Sequence, residues 1–354
     1  MSTYERIAEL PLEVESVELE GLELAVTSDF TRLTTLIKLQ GGGHEGIGED
    51  VTYDALDQIA LQDAQPLELA GSYTIDSFSQ KLDEAELWPA PPVREVSPLY
   101  RRWAFESAAL DLAMRQAGKS LAEAIGRKPR PVTFVVSMRL AVPGSSEPET
   151  AERVHFVLGK YPRTRFKLDP TNTWSRALVN ELVATGAIDS VDLKGFYTGT
   201  PVDVETDPEL YRMVIDAFPQ AWIEDPDVND ETRGILDPVA ERITWDAPIH
   251  SVADIEERPW KPRMVNIKPS RFGSLRALCE AYDYCEQEAI GAYGGGQFEL
   301  GEGRGQIQYL ASLFHPDTPN DVAPGGYNQV QTPDGLPQSP LGPRPSTTGF
   351  RWEG

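Results

Sequence analysis

The stretch TRFKLDPTNTWSRALVNELVATGAIDSVDLKG, Thr164 to Gly195, carries the reading of the fold. A short strand-like run, TRFKLD, stops at a proline. The amphipathic segment SRALVNELVATG follows, and then a second short run, SVDLK. Strand, helical stretch and strand at this spacing form a parallel βα unit. Working outward, the same pattern recurs in VTFVVSM (Val132–Met138), AWIED (Ala221–Asp225), ITWDA (Ile243–Ala247), RMVNIK (Arg263–Lys268) and IGAYGG (Ile290–Gly295). Helical segments such as DPELYRMVIDAF lie between them. Seven such strands, with an eighth expected near Asn320–Val322, favour a (β/α)-barrel of TIM type over an open sheet.

The first third reads differently, as α+β. GLELAVTSDF and RLTTLIKLQGG resemble two strands, and GGGHEGIGEDVTYD a Gly-rich turn into a third. Helices are expected over Tyr53–Leu61, Ser77–Glu86 and Pro98–Ala117, the last stopped by Gly118. RKPRP (Arg127–Pro131) reads as a boundary. The expected division is therefore residues 1–127, α+β and including the helix that leads onward; 128–324, the barrel; and 325–354, a Pro/Gly-rich tail that is irregular, packed on the surface or partly disordered.

Composition narrows the partners. The chain has 354 residues with 32 basic and 56 acidic side chains, a formal net charge of −24. Such a surface repels a phosphate backbone, so neither nucleic acid nor an anionic membrane is expected as a partner. It suits a bound cation. MSTYERIAELPLEVE lacks the apolar core of a signal peptide, and no run reaches transmembrane length. Cys279 and Cys285, in one expected helix, fit a reducing compartment better than a disulfide scaffold. A cytoplasmic enzyme or binding protein is the expectation, and a homo-oligomer is compatible with it.

The charged residues gather at one end of the expected strands. In βα-barrels the active site lies at the C-terminal strand ends. Lys167 and Asp169 close the second strand, two residues apart and so on one face. Asp192 and Lys194 close the third, Glu224 and Asp225 the fourth, Asp246 the fifth, and Lys268 the sixth, with Arg271 just beyond. The seventh opens into GGGQFELGEGRG, which carries Glu299. Buried parallel strands are normally apolar throughout, and buried charges are costly unless paired or metal-bound. Asp192, Glu224 and Asp246, one on each of three consecutive strand ends, suit a hard divalent cation such as Mg²⁺. The plain alternative is three solvated carboxylates, or partners for Lys194 and Lys268.

These residues together resemble the enolase superfamily, near its muconate-lactonizing, o-succinylbenzoate-synthase-like branch. WAFESAALDLAMRQAGKSL resembles the segment joining that family's capping domain to its barrel. RFKLDP sits at its strand-two Lys-x-Lys motif, and SVDLKG, WIEDP and TWDAP at its three metal carboxylates. VNIKPSRFGSL matches its strand-six lysine segment, and GGGQFELGEGRGQIQYLASL its strand-seven region. The resemblance runs from about Leu22 to about Val322. It implies an α/β chain, a modified (β/α)-barrel under an N-terminal α+β capping domain. It further implies one Mg²⁺, with Mn²⁺ as the alternative ion, that binds the carboxylate of a small carboxylic acid. Abstraction of the α-proton then gives a metal-stabilised enediolate, followed by dehydration, cycloisomerisation or racemisation. The physical case is independent of the name: an α-proton beside a carboxylate is very weakly acidic, and the developing dianion needs concentrated positive charge.

Three positions depart from the pattern. Asp169 replaces the second lysine of the strand-two motif, usually the base. Arg271 falls where the strand-six motif ends in a lysine. Lys194 replaces an asparagine often found two residues after the first metal carboxylate. Arginine is a poor base but a good carboxylate clamp. The proton-transfer candidates are accordingly Lys167, Lys268, Asp169 and Lys194, and the substrate-binding candidates are Arg271, Glu299 and His44. His44 lies in the Gly-rich turn that the resemblance places near substrate-choosing loops, although an exposed loop histidine reads the same. His250 is expected near the fifth-strand carboxylate, and His315 in a structural role. Neither Gly-rich stretch continues as a phosphate-binding loop, and no G-x-S-x-G elbow occurs. The competing function is a barrel that has lost proton chemistry and serves as a ligand-binding or structural protein.

Overall fold

A computed structural model describes residues 1–26, 30–65, 67–140, 148–200, 202–329 and 331–352. The N-terminal part contains the strands β1 (Pro11–Val14), β2 (Ser16–Ala25), β3 (Thr31–Gly41), β4 (His44–Asp50) and β5 (Gly71–Thr74). Its helices are α1 (Ala55–Gln62), α2 (Ile75–Glu84), α3 (Ser97–Gln116) and α4 (Leu121–Ile125). β2, β3 and β4 form an antiparallel sheet, and β1 pairs with β5. The GGGHEGIG run is a hairpin: Gly42 and Gly43 have φ of 57° and 75°, a turn that needs glycine. Beyond it, Gly46 and Gly48 lie on one face of β4. A Cβ there would stand 2.2 Å and 2.0 Å from the carbonyl oxygens of Ala108 and Ala104. The glycines therefore let α3 lie directly on the strand backbone, which is why 15 of its 20 residues are buried. α2 begins two residues earlier than expected because the Thr74 hydroxyl accepts from Ser77 N, with the Ser77 hydroxyl reciprocating on Thr74 N.

The second part alternates strands and helices: β6 (Val136–Met138), α5 (Glu152–Lys160), β7 (Phe166–Leu168), α6 (Arg176–Thr185), β8 (Ile188–Asp192), α7 (Pro208–Ala217), β9 (Trp222–Glu224), α8 (Arg233–Leu236), β10 (Ile243–Trp245), α9 (Val252–Glu256), β11 (Met264–Ile267), α10 (Pro269–Phe272), α11 (Leu275–Gln287), β12 (Gly291–Gly294) and α12 (Glu302–Phe314). β6 to β12 form one sheet in sequence order, every pair parallel. This is the (β/α)-barrel after an α+β part that the sequence pattern predicts, in the modified and capped form that the resemblance implies.

The eighth strand is reduced to two residues. Asn320 bridges to Phe134 and Asp321 to Gly295, so Asn320–Asp321 joins the two edges of the sheet. Val135 N donates to Asn320 O at 2.8 Å, and Asp321 N to Gly294 O at 2.8 Å. The Asn320 side chain finishes the closure, accepting from Gly294 N at 2.6 Å and donating to Thr133 O at 2.9 Å. VTFVVSM accordingly pairs as a regular strand only over its last three residues, its first half being taken by Leu341 and Asn320. The tail is not merely a surface wrap. Leu341 and Phe350 are buried, Phe350 meets Trp103 edge-on at 6.3 Å, and Phe350 N donates to Asp111 at 2.7 Å.

Candidate active site

The strand ends of β7 to β11 bring the predicted charges into one buried cluster. Lys167 lies on β7, where the pairing with β8 slips by one residue between Phe166 and Lys167. Such an irregularity re-aims a side chain. Its ammonium donates to Glu224, lies 3.1 Å from Asp192 Oδ2 and reaches 3.8 Å from Asp321 Oδ2. Lys194, just past β8, places its ammonium 2.5 Å from Asp192 Oδ2 and 3.4 Å from Asp169 Oδ2. Lys268 sits 2.8 Å from Asp246 Oδ2, and Arg271 Nη1 sits 2.8 Å from Asp246 Oδ1 while also donating to the Asp246 carbonyl. Arg271 Nη2 reaches the Tyr197 hydroxyl at 3.4 Å.

Two residues to which the sequence reading gave no role complete the cluster, Asp225 although it stands in the charge pattern at the end of the fourth strand. Tyr293, on β12, donates its hydroxyl to Glu224 Oε2. Asp225, held at φ 47°, accepts from Asp246 N and Ala247 N at 2.8 Å each. Its signal was adjacency, since it follows Glu224 in WIEDP. Tyr293 offered less, because a tyrosine in a barrel strand reads as core.

The electrostatics follow from crowding. Asp169, Asp192, Glu224, Asp225 and Asp246 face Lys167, Lys194, Lys268 and Arg271, five carboxylates against four cations, all at most 9% exposed apart from the slightly more open Lys194. Burial opposes charge on Lys167, but Glu224, Asp192 and Asp321 overcome it and hold the ammonium protonated well above its ordinary range. Burial likewise opposes ionisation of Asp192, and Lys194 and Lys167 overrule it, holding this carboxyl below the usual range. Asp246 is held low in the same way by Arg271 and Lys268. The surplus acid falls elsewhere. Burial, then the neighbouring carboxylates, push Glu224 well up, and Asp225 up to about 7. Asp169 is raised by burial against the pull of Lys194.

A divalent cation fits this donor set. Oxygens of Asp192, Glu224 and Asp225 lie within 4.8 Å of one another, all three residues buried. Asp246 stands outside that group among the described residues, its oxygens turned to Lys268 and Arg271. Asp225 meets the distance but has both oxygens committed to backbone N–H groups. A cation placed here would hold ionised the carboxylates that crowding now pushes toward neutrality.

The remaining predicted residues have no hydrogen bond or ion pair with the cluster among the described residues. His44 is exposed at the start of β4, six residues or about 20 Å of strand away from Asp50. His44 has no hydrogen bond or ion pair with the cluster among the described residues. Glu299 is buried beside the capping sheet, accepting from Gln297 N at 2.6 Å and lying 3.2 Å from Arg304. Around it are residues that sequence reading missed. Arg32 is fully buried, donates to Val51 O and Gln297 O at 2.7 Å and 2.9 Å, and stacks 4.5 Å from the Tyr53 ring. Glu49 accepts from the backbone of the same loop. His250 is half-buried, its pKa lowered by burial and then by Arg271. His315 is buried between Tyr282 and Asn320, 3.1 Å and 2.6 Å away, at the barrel's closure.

A family model described as "Domain of unknown function (DUF8230) C-terminal domain" matches residues 128–329, and the corresponding N-terminal model matches residues 5–124. The o-succinylbenzoate synthase of Bacillus subtilis (strain 168) is 28% identical over 243 residues, which cover 65% of this chain and 61% of that enzyme. The match thus spans about three fifths of the curated relative's length, 61%. Among solved structures, dipeptide epimerase from Methylococcus capsulatus complexed with Mg ion superposes with a TM-score of 0.65 at 18% identity, covering 87% of this chain and 89% of that one. Muconate cycloisomerase from Pseudomonas fluorescens gives 0.62 at 19% identity, with 88% and 87% covered. No helix among the described residues is long and apolar enough to cross a membrane.

Proposed function

Because the chain belongs to the DUF8230 family, within the muconate-lactonizing and o-succinylbenzoate-synthase-like branch of the enolase superfamily, we propose that it is a divalent-metal-dependent lyase or isomerase that removes the α-proton of a small carboxylic acid. The observation that carries this reading is the placement of two lysines. Lys167 and Lys268 belong to the second and sixth of the barrel's strands, β7 and β11, and so stand on opposite walls of an eightfold ring. The carboxylate-bearing ends of β8, β9 and β10 fill the arc between them.

We assign the cation, Mg²⁺ or Mn²⁺, to Asp192, Glu224 and Asp246, with Asp225 fixing the backbone N–H of Asp246 and so positioning it. When bound, such an ion supplies positive charge to a substrate carboxylate and to the negative charge that develops on it. The chain's own residues do the rest. Lys167 and Lys268 hold or move a proton at either face of the α-carbon, Lys167 as the ammonium that Glu224, Asp192 and Asp321 keep protonated. Arg271, fixed by Asp246 and backed by Tyr197, offers its remaining donors to a second polar group of the substrate. Asp169 and Lys194 close the rim between β7 and β8.

Hydrogen–deuterium exchange at the α-carbon of a panel of small carboxylic acids tests the proposal. Exchange that requires Mg²⁺ and is lost in Lys167→Ala and Lys268→Ala is the expected result. No exchange with any acid, in protein shown to bind the ion, would point instead to a barrel that binds ligands without proton chemistry.

A further inference from the structure

Lys194 is the residue of the cluster whose geometry is hardest to explain as packing. It is a non-glycine held at φ 55°, a left-handed conformation that L side chains seldom adopt. Its own N–H donates to Asp192 Oδ1 at 3.2 Å, and its ammonium stands 2.5 Å from Asp192 Oδ2, so both ends of the residue close on one carboxylate. The backbone around it is immobilised. Leu193 N donates to Glu224 O at 2.9 Å and Gly195 N to Asp225 O at 2.8 Å. A Cβ on Gly195 would stand 2.4 Å from Asp227 N, so the loop rests directly on the chain that follows β9. Only the lysine side chain is left free to move.

It also has somewhere to go. Asp169 Oδ2 is 3.4 Å from the ammonium, and Asp169 Oδ1 is buried with no hydrogen-bond partner among the described residues. The Tyr197 ring faces the ammonium at 5.0 Å from the other side. A buried carboxylate with an unanswered oxygen is a waiting acceptor, because leaving it unpaired is costly.

We propose that Lys194 is a tethered counter-ion of the metal site, which competes with a divalent cation for Asp192 and turns onto Asp169 and the Tyr197 face when the cation binds. This rests on the assignment of Asp192 to the metal. The consequence is twofold. The tethered ammonium competes with the metal, so the site is weaker for its ion than its carboxylates alone would make it. Loading also turns an ammonium toward the mouth, beside Arg271 and Tyr197, where it selects acids that carry a second anionic group.

The experiment is a titration of the full, EDTA-stripped chain with Mn²⁺, following the free ion by electron paramagnetic resonance. Wild type is compared with Lys194→Met, which keeps length and removes charge, and Asp169→Asn, which removes the receiving carboxylate. Circular dichroism of each metal-free protein establishes that it is folded. The expected result is Mn²⁺ binding at least tenfold tighter in K194M and several-fold weaker in D169N. Equal or weaker binding in K194M, with wild type still binding Mn²⁺, overturns the proposal and leaves the metal site standing. Absence of Mn²⁺ binding in all three folded proteins overturns both. Should K194M fail to fold, Lys194→Gln takes its place with the same tenfold criterion.

Discussion

Replacing Glu49 by alanine should loosen the seventh-strand loop from the capping sheet, at a cost that can be worked out from its contacts. Glu49 is the last residue but one of β4 and is 1% exposed. Its Oε1 accepts from Leu300 N at 2.6 Å, and its Oε2 from Gly301 N at 3.0 Å and Gly303 N at 2.9 Å. Gly303 lies in the first turn of α12, so the carboxylate also caps a helix N-terminus, where negative charge is favoured. The fit is close, since a Cβ on Gly303 would come 2.9 Å from Glu49 Oε2. Truncation leaves one buried and two part-buried N–H groups without this acceptor, at roughly 1–2 kcal/mol each. Against this, burial and then Glu299 push the Glu49 pKa up, so its charge is itself held at a cost that the substitution removes. Allowing about 1 kcal/mol for that relief, the net loss should be about 2–5 kcal/mol.

Guanidinium unfolding of Glu49→Ala measures the global loss. Native-state hydrogen exchange at the amides of Leu300, Gly301 and Gly303 measures it where it arises. At about 1.4 kcal/mol per factor of ten, protection of these amides should fall roughly thirtyfold or more. Glu23→Ala, an exposed acid on β2 at the other edge of the same sheet, serves as the control and should change stability by less than about 0.5 kcal/mol. If E49A costs no more than that control and the three amides keep their protection, the inference that this carboxylate latches cap to barrel is wrong.

Two further predictions concern a histidine and an aspartate pair. Burial lowers the His315 pKa from 6.5 to about 4. The unfolded chain therefore binds this proton first as pH falls, and stability drops between about pH 6.5 and 4 by roughly 3 kcal/mol from this group. His315→Gln should remove that portion of the acid sensitivity in unfolding measured at pH 7.5 and 4.5, and an unchanged difference would sink the assignment. At the metal site, Asp246→Asn should weaken Mn²⁺ binding at least tenfold more than Asp225→Asn, because Asp225 acts through the N–H of Asp246. The reverse order, measured by the same ion titration, would make Asp225 the ligand, as its distance to Asp192 and Glu224 suggests.

How much of this was legible in the chain depends on how far apart the partners lie. The barrel was legible because a parallel unit repeats its own local pattern, and the charged strand ends stood out against apolar strands. Of the ring's closure the place was legible, an eighth strand being expected near Asn320–Val322, but not its form, since Asn320 and Asp321 pair by single bridges only. Arg32 and Glu49 read as ordinary polar residues of an exposed sheet. What buries them is a loop more than 250 residues onward, at Gln297 and Gly303, and no periodicity within β3 or β4 encodes that contact. For His44 the resemblance implied proximity to substrate and the residues alone an exposed loop histidine; the side chain is exposed at a hairpin turn.

The departures at 169 and 194 illustrate the same point more sharply. Taken along the chain they are unrelated: a carboxylate where the resembled enzymes keep a lysine, and, 25 positions later, a lysine where they often keep an asparagine. In the folded protein the two side chains face each other at 3.4 Å across neighbouring strands β7 and β8. Without Lys194, Asp169 would be a buried carboxylate lacking its nearest counter-charge, and without Asp169, Lys194 would keep Asp192 alone. Together they move one ammonium from the end of β7 to the end of β8 and keep the number of cations at the rim constant. Asp169 and Lys194 are thus one substitution written at two positions. The pair predicts its own signature: Asp169→Asn combined with Lys194→Met should destabilise the metal-free protein by less than the sum of the single changes. Additive costs in a double-mutant cycle would show the two to be independent after all.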